Sequence, residues 1–400
     1  MQNLFKKTSI VLMCSTALLL SAYGGDDDHD NYVSNKKSFQ VDADVLGAVQ
    51  VHDVLTYDMP SVSGKTIQAT TLVFTPKGTA PVGGWPVVVW AHGTTGGADK
   101  CAPSRNALEG SEKQLILGLV NKGYAVVAPD YEGLGNDKEP HPYLNLSSAA
   151  KSILYALEDA NARYNNLSKN WSVVGWSQGG HAALGAAEFS SALSGYTYKG
   201  AVAIAPASYL AETLEGGMDY AKALAASGAS GTAQAVPIAA TLYTYAAIVS
   251  SGIKAGKTNF NYNQSFLNEK VNIAQQAETL CSPEVGQLFG LDIQSFLQAN
   301  NGDFSKYQAL QTDFLNDTDI KQYLQVNTPA KTKLPKPVII FQGSADTTVP
   351  LAITQGLYGY MLSTSTDVEL REKAGATHAT VVSQNINEIV DTVDGLMKKS

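Results

Sequence analysis

Ser177 stands in GWSQGG (175–180), between WSVVG (171–175), an apolar run with the pattern of a buried strand, and QGGHAALGAAEFSSAL (178–193), which reads as a helix. A serine on so sharp a strand-to-helix turn is lifted from the sheet edge and presented to a substrate. Gly175 and Gly179 lack the Cβ atoms that would collide where strand and helix pass. The chemistry this predicts is acyl transfer through a covalent serine intermediate. A serine hydroxyl is a weak nucleophile near neutral pH, so it needs a base, and the base needs a carboxylate to orient it. Beyond Ser177 and its neighbour His181, the sequence has one further histidine, His378 in AGATHAT, at the start of the final helical pattern. Asp346 closes the strand-like PVIIFQGSAD and puts a carboxylate on the loop beside that base. Asp367 competes but opens a strand, and Asp313, Asp317 and Asp319 lie in a different kind of segment. Ser177, Asp346 and His378 are therefore expected as nucleophile, orienting acid and general base, in the chain order serine, acid, histidine.

The oxyanion of an acyl transfer needs donors already in place. Gln178 supplies the backbone N–H after the nucleophile. HGTTGG (92–97), directly after the strand-like WPVVVWA (85–91), supplies a second from Thr94, with Thr95 as the alternative. Trp176 is expected to line the substrate site. His92, in an HG turn, and His181, one turn into the elbow helix, read as structural. Asp130 and Glu132 of APDYEGLG (128–135) read as ties for a loop. The sequence has no HExxH, CxxC or P-loop, and no cofactor or metal is expected.

The elements that must position these residues begin at 85, where short apolar runs alternate with helical ones. WPVVVWA, YAVVAPD (124–130), the elbow strand, KGAVAIAPA (199–207), KPVIIFQGSAD (336–346) and DVELREKA (367–374) read as strands. SEKQLILGLVNKG (111–123), SSAAKSILYALEDANARY (147–164), a stretch near 350–362 and one from 379 to about 397 read as helices; Val382, Ile386, Ile389, Val390, Val393 and Met397 share one face of the last. This is an α/β chain with a mostly parallel sheet and helices on both faces. Before it, VQVHDVLTYDM (49–59) and KTIQATTLVFTPKG (65–78) alternate like antiparallel strands turning near Gly64. From 208 to 335 the rhythm gives way to a helix-rich segment too long for a loop, expected as a cap inserted into a core of 41–207 and 336–400. Its apolar VPIAATLYTYAAIVSSGI (236–253) reads as a buried helix, or else as a surface meeting lipid.

A formal charge of -8, with no Lys/Arg cluster, argues against nucleic acid as a partner and favours a small-molecule or lipid ester. Lys6 and Lys7 before SIVLMCSTALLLSA (9–22) read as an export signal over 1–23, followed by a polar tether over 24–40. LSAYGG (20–25) is similar to a lipoprotein cleavage box, but Tyr23 replaces the cysteine that would be lipidated. A secreted or periplasmic protein is therefore expected over an anchored one. Removal of the signal, which contains Cys14, leaves Cys101 and Cys281, a pair expected to form a disulfide in an oxidising compartment.

WAHGTTG with CAPS (101–104), VVAPDYEGLG, HPYLN (141–145), VVGWSQGGHAA, GSADTTVP and GATHAT together resemble the secretory lipase family, the yeast lipases of the lipase A type and their bacterial homologues. The resemblance covers about 85–207 and 336–380. It implies an α/β-hydrolase fold, carboxylic ester hydrolysis and a helical cap at 208–335, and it matches Ser177, Asp346 and His378 to the family's triad. The expected function is an exported lipase or carboxylesterase. The alternatives are a serine aminopeptidase of the same fold, which would need a cap carboxylate such as Glu212, Glu215 or Asp219 for the substrate amine, and a non-catalytic surface protein that kept the fold.

Overall fold

A computed structural model of the protein describes residues 36–135 and 139–399. The expected export signal and most of the expected tether lie outside these residues. The tether's last residues do not behave as one, because Lys36–Ser38 forms a strand, β1, paired antiparallel with the next. Eight more strands follow: β2 (Val49–Pro60), β3 (Thr66–Pro76), β4 (Trp85–Ala91), β5 (Ala125–Pro129), β6 (Leu167–Trp176), β7 (Thr197–Ile204), β8 (Val338–Gly343) and β9 (Val368–Lys373). They form one sheet in the order β1-β2-β3-β5-β4-β6-β7-β8-β9. The first three strands and the β3/β5 pairing are antiparallel, and every pairing from β5 to β9 is parallel. Parallel strands covered on both faces need side chains apolar throughout, which is why WPVVVWA and VIIFQG show little polar alternation.

Helices α1 (Ala43–Ala48), α2 (Gly110–Asn121), α3 (Leu146–Arg163) and α4 (Gln178–Phe189) connect the first strands. The insertion between β7 and β8 contains α5 (Leu210–Ala226), α6 (Ala229–Gly256), α7 (Val271–Ala274), α8 (Ser282–Ala299) and α9 (Thr318–Val326). After it come α10 (Leu351–Ser363), α11 (Thr380–Ser383) and α12 (Ile386–Lys398). α3, α4 and α10 pack on one face of the sheet, through residues such as Ile153, Leu184 and Leu357. α1, α2 and α12 pack on the other, through Val45, Ile116 and Val393. The final helical pattern is thus two helices, separated at Gln384 and Asn385. Asn385 turns its side-chain amide back to the carbonyl of Val381 and leaves helical geometry at φ -125°.

The insertion has a hydrophobic core of its own. Its longest helix, α6, has the length and composition to cross a membrane, yet most of its apolar stretch is covered by α5, α8 and neighbouring segments. Tyr243, Ala247 and Ile248 are among its buried residues, as the burial reading of 236–253 expects.

Candidate active site

The elbow is built from the end of β6 and the start of α4. Ser177 lies at φ 58°, ψ -114°, a conformation L-residues rarely adopt and one stored where the surroundings compel it. The compulsion is visible in its hydrogen bonds. Ser177 N donates to Ile204 O at 2.8 Å, and Ser177 O accepts from His181 N and Ala207 N at 3.1 Å each. A Cβ on Gly179 would stand 1.8 Å from Ala91 O, and one on Gly175 would stand 2.1 Å from Gly179 O. Only glycine lets the strand and helix pass this closely.

Asp346 and His378 come from loops after different strands, β8 and β9, and meet at 2.7 Å between Oδ2 and Nδ1. A carboxylate accepts, so Nδ1 is the donor and the neutral ring keeps its lone pair on Nε2. The Asp346 carboxylate is fully buried and held from both sides. Its Oδ1 accepts from Thr348 N at 2.8 Å and Val349 N at 2.9 Å, and its Oδ2 also accepts from Gln342 Nε2 at 3.2 Å. Gln342 is fixed in turn, donating to Val349 O at 2.9 Å and accepting from Thr354 Oγ1 at 2.7 Å. Sequence reasoning passed over Gln342. The signal was a lone amide near the end of the otherwise apolar VIIFQG, four residues before the carboxylate.

Trp176, expected on the substrate wall, sits between the elbow and the histidine loop. Its indole N–H donates to His378 O at 3.0 Å, its ring lies 5.3 Å from the imidazole, and a Cβ on Gly93 would approach it to 3.0 Å. The residue beside Ser177 is thereby bonded to the residue expected to activate it.

The two expected oxyanion residues border the same elbow. Gln178 is the first residue of α4, and Thr94 lies on the loop after β4. The side chain of Thr94 meets Tyr143 Oη at 2.7 Å, and that of Gln178 meets His141 Nε2 at 3.0 Å. The alternative, Thr95, is tied through its carbonyl, which accepts from Ser282 N at 2.9 Å and Ser282 Oγ at 3.2 Å. Next to Ser282, Cys281 is bonded to Cys101 in a disulfide with Cα atoms 5.5 Å apart, and it forms a β-bridge with Gly96. The loop expected to hold the oxyanion is thus laced to the start of α8.

The remaining polar residues singled out by sequence lie under this surface. His92 is buried between Gly93 O at 2.7 Å and Asp130 O at 3.2 Å, and His181 reaches Asn327 O at 2.8 Å. Burial pulls both imidazoles down to about 4, so they are neutral near pH 7. Burial pushes the Asp130 carboxyl up to about 6, even though it accepts from Thr70 Oγ1 at 2.6 Å and Ser104 N at 2.9 Å. Glu132 accepts from Val62 N at 2.9 Å and from the Ser148 hydroxyl. Both carboxylates bind the loop after β5 to its neighbours.

Residues 88–392 match the family described as the alpha/beta hydrolase family. No curated protein matches the sequence. Among solved structures, the chain is similar to the rice cell wall degrading esterase LipA from Xanthomonas oryzae, at 20% identity and a TM-score of 0.63 over 91% of this chain and 97% of that one. It is also similar to Candida antarctica lipase A, at 16% identity and a TM-score of 0.64 over 90% of this chain and 81% of that one. At these identities the likeness is one of fold.

Proposed function

The chain belongs to the alpha/beta hydrolase family, and from that premise we propose that it is an exported serine ester hydrolase, a lipase or carboxylesterase. The observation that carries this reading is the 2.7 Å hydrogen bond from His378 Nδ1 to Asp346 Oδ2, beside an elbow whose Trp176 is bonded to the same histidine. In the first half-reaction Ser177 Oγ attacks the acyl carbon while His378 Nε2 takes its proton, and Asp346 stabilises the resulting imidazolium. The oxyanion is held by the N–H of Gln178 and that of Thr94 or Thr95. Collapse expels the alcohol, which receives the proton from His378. Water, deprotonated by the same nitrogen, then hydrolyses the acyl-enzyme.

On this reading the insertion is a cap that selects the acyl group. A groove of about 800 Å³ runs between α6 and α8, lined by Val236, Ala240, Gly286, Gly290 and Leu297 and ending at Ser282, whose side chain and N–H bind Thr95 O. Small apolar walls suit a hydrocarbon chain. The aminopeptidase alternative calls for a cap carboxylate next to the substrate. Glu215 and Asp219 line a different groove, shared with Lys222 and Lys306, and among the described residues no acidic one lines the groove between α6 and α8. Export accords with the disulfide.

The test is turnover of p-nitrophenyl esters and labelling by a fluorophosphonate. Ser177→Ala is expected to lower kcat by on the order of 10⁵-fold or more, to abolish labelling and to leave the fold intact. Near-wild-type turnover in this variant, or faster cleavage of amino-acid p-nitroanilides than of esters by the wild type, would overturn the reading.

A further inference from the structure

The segment from His141 to Tyr143 lies between β5 and α3 and takes no part in the steps above, yet it touches Gln178 and Thr94, the pair first expected at the oxyanion. His141 Nδ1 lies 2.6 Å from Glu132 O, and because a carbonyl only accepts, Nδ1 carries the proton. Burial holds this imidazole down at about 4, so the ring is neutral near pH 7 and its Nε2 presents a lone pair. The Gln178 amide, 3.0 Å from that nitrogen, is therefore the donor, and its N–H₂ end faces His141. Gln178 is itself almost completely buried, at 2% exposure. Two residues along, Tyr143 Oη meets Thr94 Oγ1 at 2.7 Å.

The segment is rigidly seated. Tyr143 N donates to His141 O at 2.9 Å around Pro142, and Tyr143 O accepts from Tyr323 Oη of α9 at 2.7 Å. A Cβ on Gly252 of α6 would come within 2.8 Å of Tyr143 N, and one on Gly133 within 2.4 Å of His141 N. Glycine at both positions lets the backbones close on this segment from two sides.

We propose that His141 and Tyr143 form a two-pronged clamp that positions the oxyanion donors, His141 through Gln178 and Tyr143 through Thr94. The inference rests on the ester-hydrolase reading above. Its physical basis is that the elbow and the braced loop fix these residues through their backbones, while His141 and Tyr143 fix the same two residues through their side chains, so each donor is held from both ends. An oxyanion hole works only when its donors already point to where charge develops. His141 and Tyr143 are positioning residues. The oxyanion exists in the transition state and not in the bound ester, so slackening the clamp lowers kcat and spares KM.

The experiment compares wild type, Tyr143→Phe, His141→Asn, Thr94→Val and the Tyr143→Phe/Thr94→Val double variant on p-nitrophenyl butyrate, with inhibition by an alkyl boronic acid and thermal melts in parallel. Tyr143→Phe removes one oxygen and keeps the ring. His141→Asn keeps a donor for Glu132 O but falls short of Gln178, and Thr94→Val keeps the backbone N–H while losing Oγ1. Each single variant is expected to lose roughly 10- to 100-fold in kcat with KM within about twofold of wild type, and to lose boronic acid affinity in the same proportion. The double variant is expected to match the singles, because both break one contact. The clamp is overturned if Tyr143→Phe and His141→Asn keep wild-type kcat, if their loss appears in KM or melting temperature alone, or if the double variant is additive. Should His141→Asn fail to fold, the Tyr143/Thr94 cycle decides. A wild-type protein inert toward every ester overturns the ester reading, and the clamp with it.

Discussion

On the elbow, a Cβ at Gly179 would stand 1.8 Å from a backbone oxygen; on α8, a Cβ at Gly290 would meet nothing within 4 Å, and one at Gly286 would meet the Thr244 hydroxyl at 3.5 Å. The same residue type does opposite things in the two regions. At the ends of the parallel strands glycine is an obligation, imposed by backbones in contact, and it leaves no tolerance for change. On the groove face of α8 it leaves space unfilled. The elbow side can alter only by breaking, whereas the groove between α6 and α8 can be reshaped residue by residue with little penalty to folding.

The sharpest way to break that contrast is Gly179→Ala. Its methyl group cannot be accommodated without moving β4 or α4, so we expect a loss of more than about 4 kcal/mol in urea unfolding, or no folded protein, and no esterase activity. A folded, active variant would show the elbow to be looser than it looks. Next in size is the bond that joins the two regions. Cys281→Ser removes a closure across a sequence separation of 180. It is expected to destabilise by about 3 kcal/mol, and turnover should fall too, since the Thr95 carbonyl leans on the adjacent Ser282. Unchanged turnover with lowered stability would mean that the tie serves only the fold.

The third test concerns His181, which joins α4 to the carbonyl of Asn327 just after α9. Burial lowers its pKa from the ordinary 6.5 to about 4. The unfolded chain therefore takes up a proton between those values that the folded chain refuses, and stability falls as pH drops from about 6.5 to about 4. His181→Gln should remove this component and flatten the decline by up to about 1.4 kcal/mol per pH unit, measured by urea titrations at pH 7 and 4.5. An unaltered slope would mean that the imidazole is hydrated in the folded protein. The smallest expected effect on stability is that of Gly290→Leu. It should change unfolding free energy by about 1 kcal/mol or less, favourably if helix propensity dominates, while lowering the octanoate-to-butyrate rate ratio roughly tenfold. An unchanged ratio would place the acyl chain elsewhere.

Much of the sheet could be read from residue patterns because buried parallel strands announce themselves as short apolar runs, and Asp346 and His378 stood out by their positions at the ends of two of them. What escaped the sequence depended on contacts between distant segments. Gln342 looked like an ordinary member of a strand until its amide was seen between Asp346, Val349 and Thr354. His141 and Tyr143 lie on a stretch with no periodicity, so nothing local could say that one reaches Gln178 and the other Thr94. The break between α11 and α12 was hidden by apolar spacing that continues across it. Lys36–Ser38 is polar in sequence, and its place as an edge strand comes from backbone pairing with β2. In the insertion, apolar stretches marked helices, but which faces meet is decided by shape complementarity that no period encodes.

The order of the strands along the chain sets a timetable for the protein's birth. β6 and the elbow are synthesised before the insertion, and β8 and β9, whose loops carry Asp346 and His378, come after it. A growing chain extends by about 5–20 residues per second, so a newly made Ser177 waits tens of seconds for its partners. The brace on the HGTTGG loop is delayed in the same way, since Cys281 follows Cys101 by 180 residues. During that interval the serine lacks the residues proposed as its base and as part of its anion site. On the reading proposed above, hydrolytic power arrives only after the insertion that covers the site has been made.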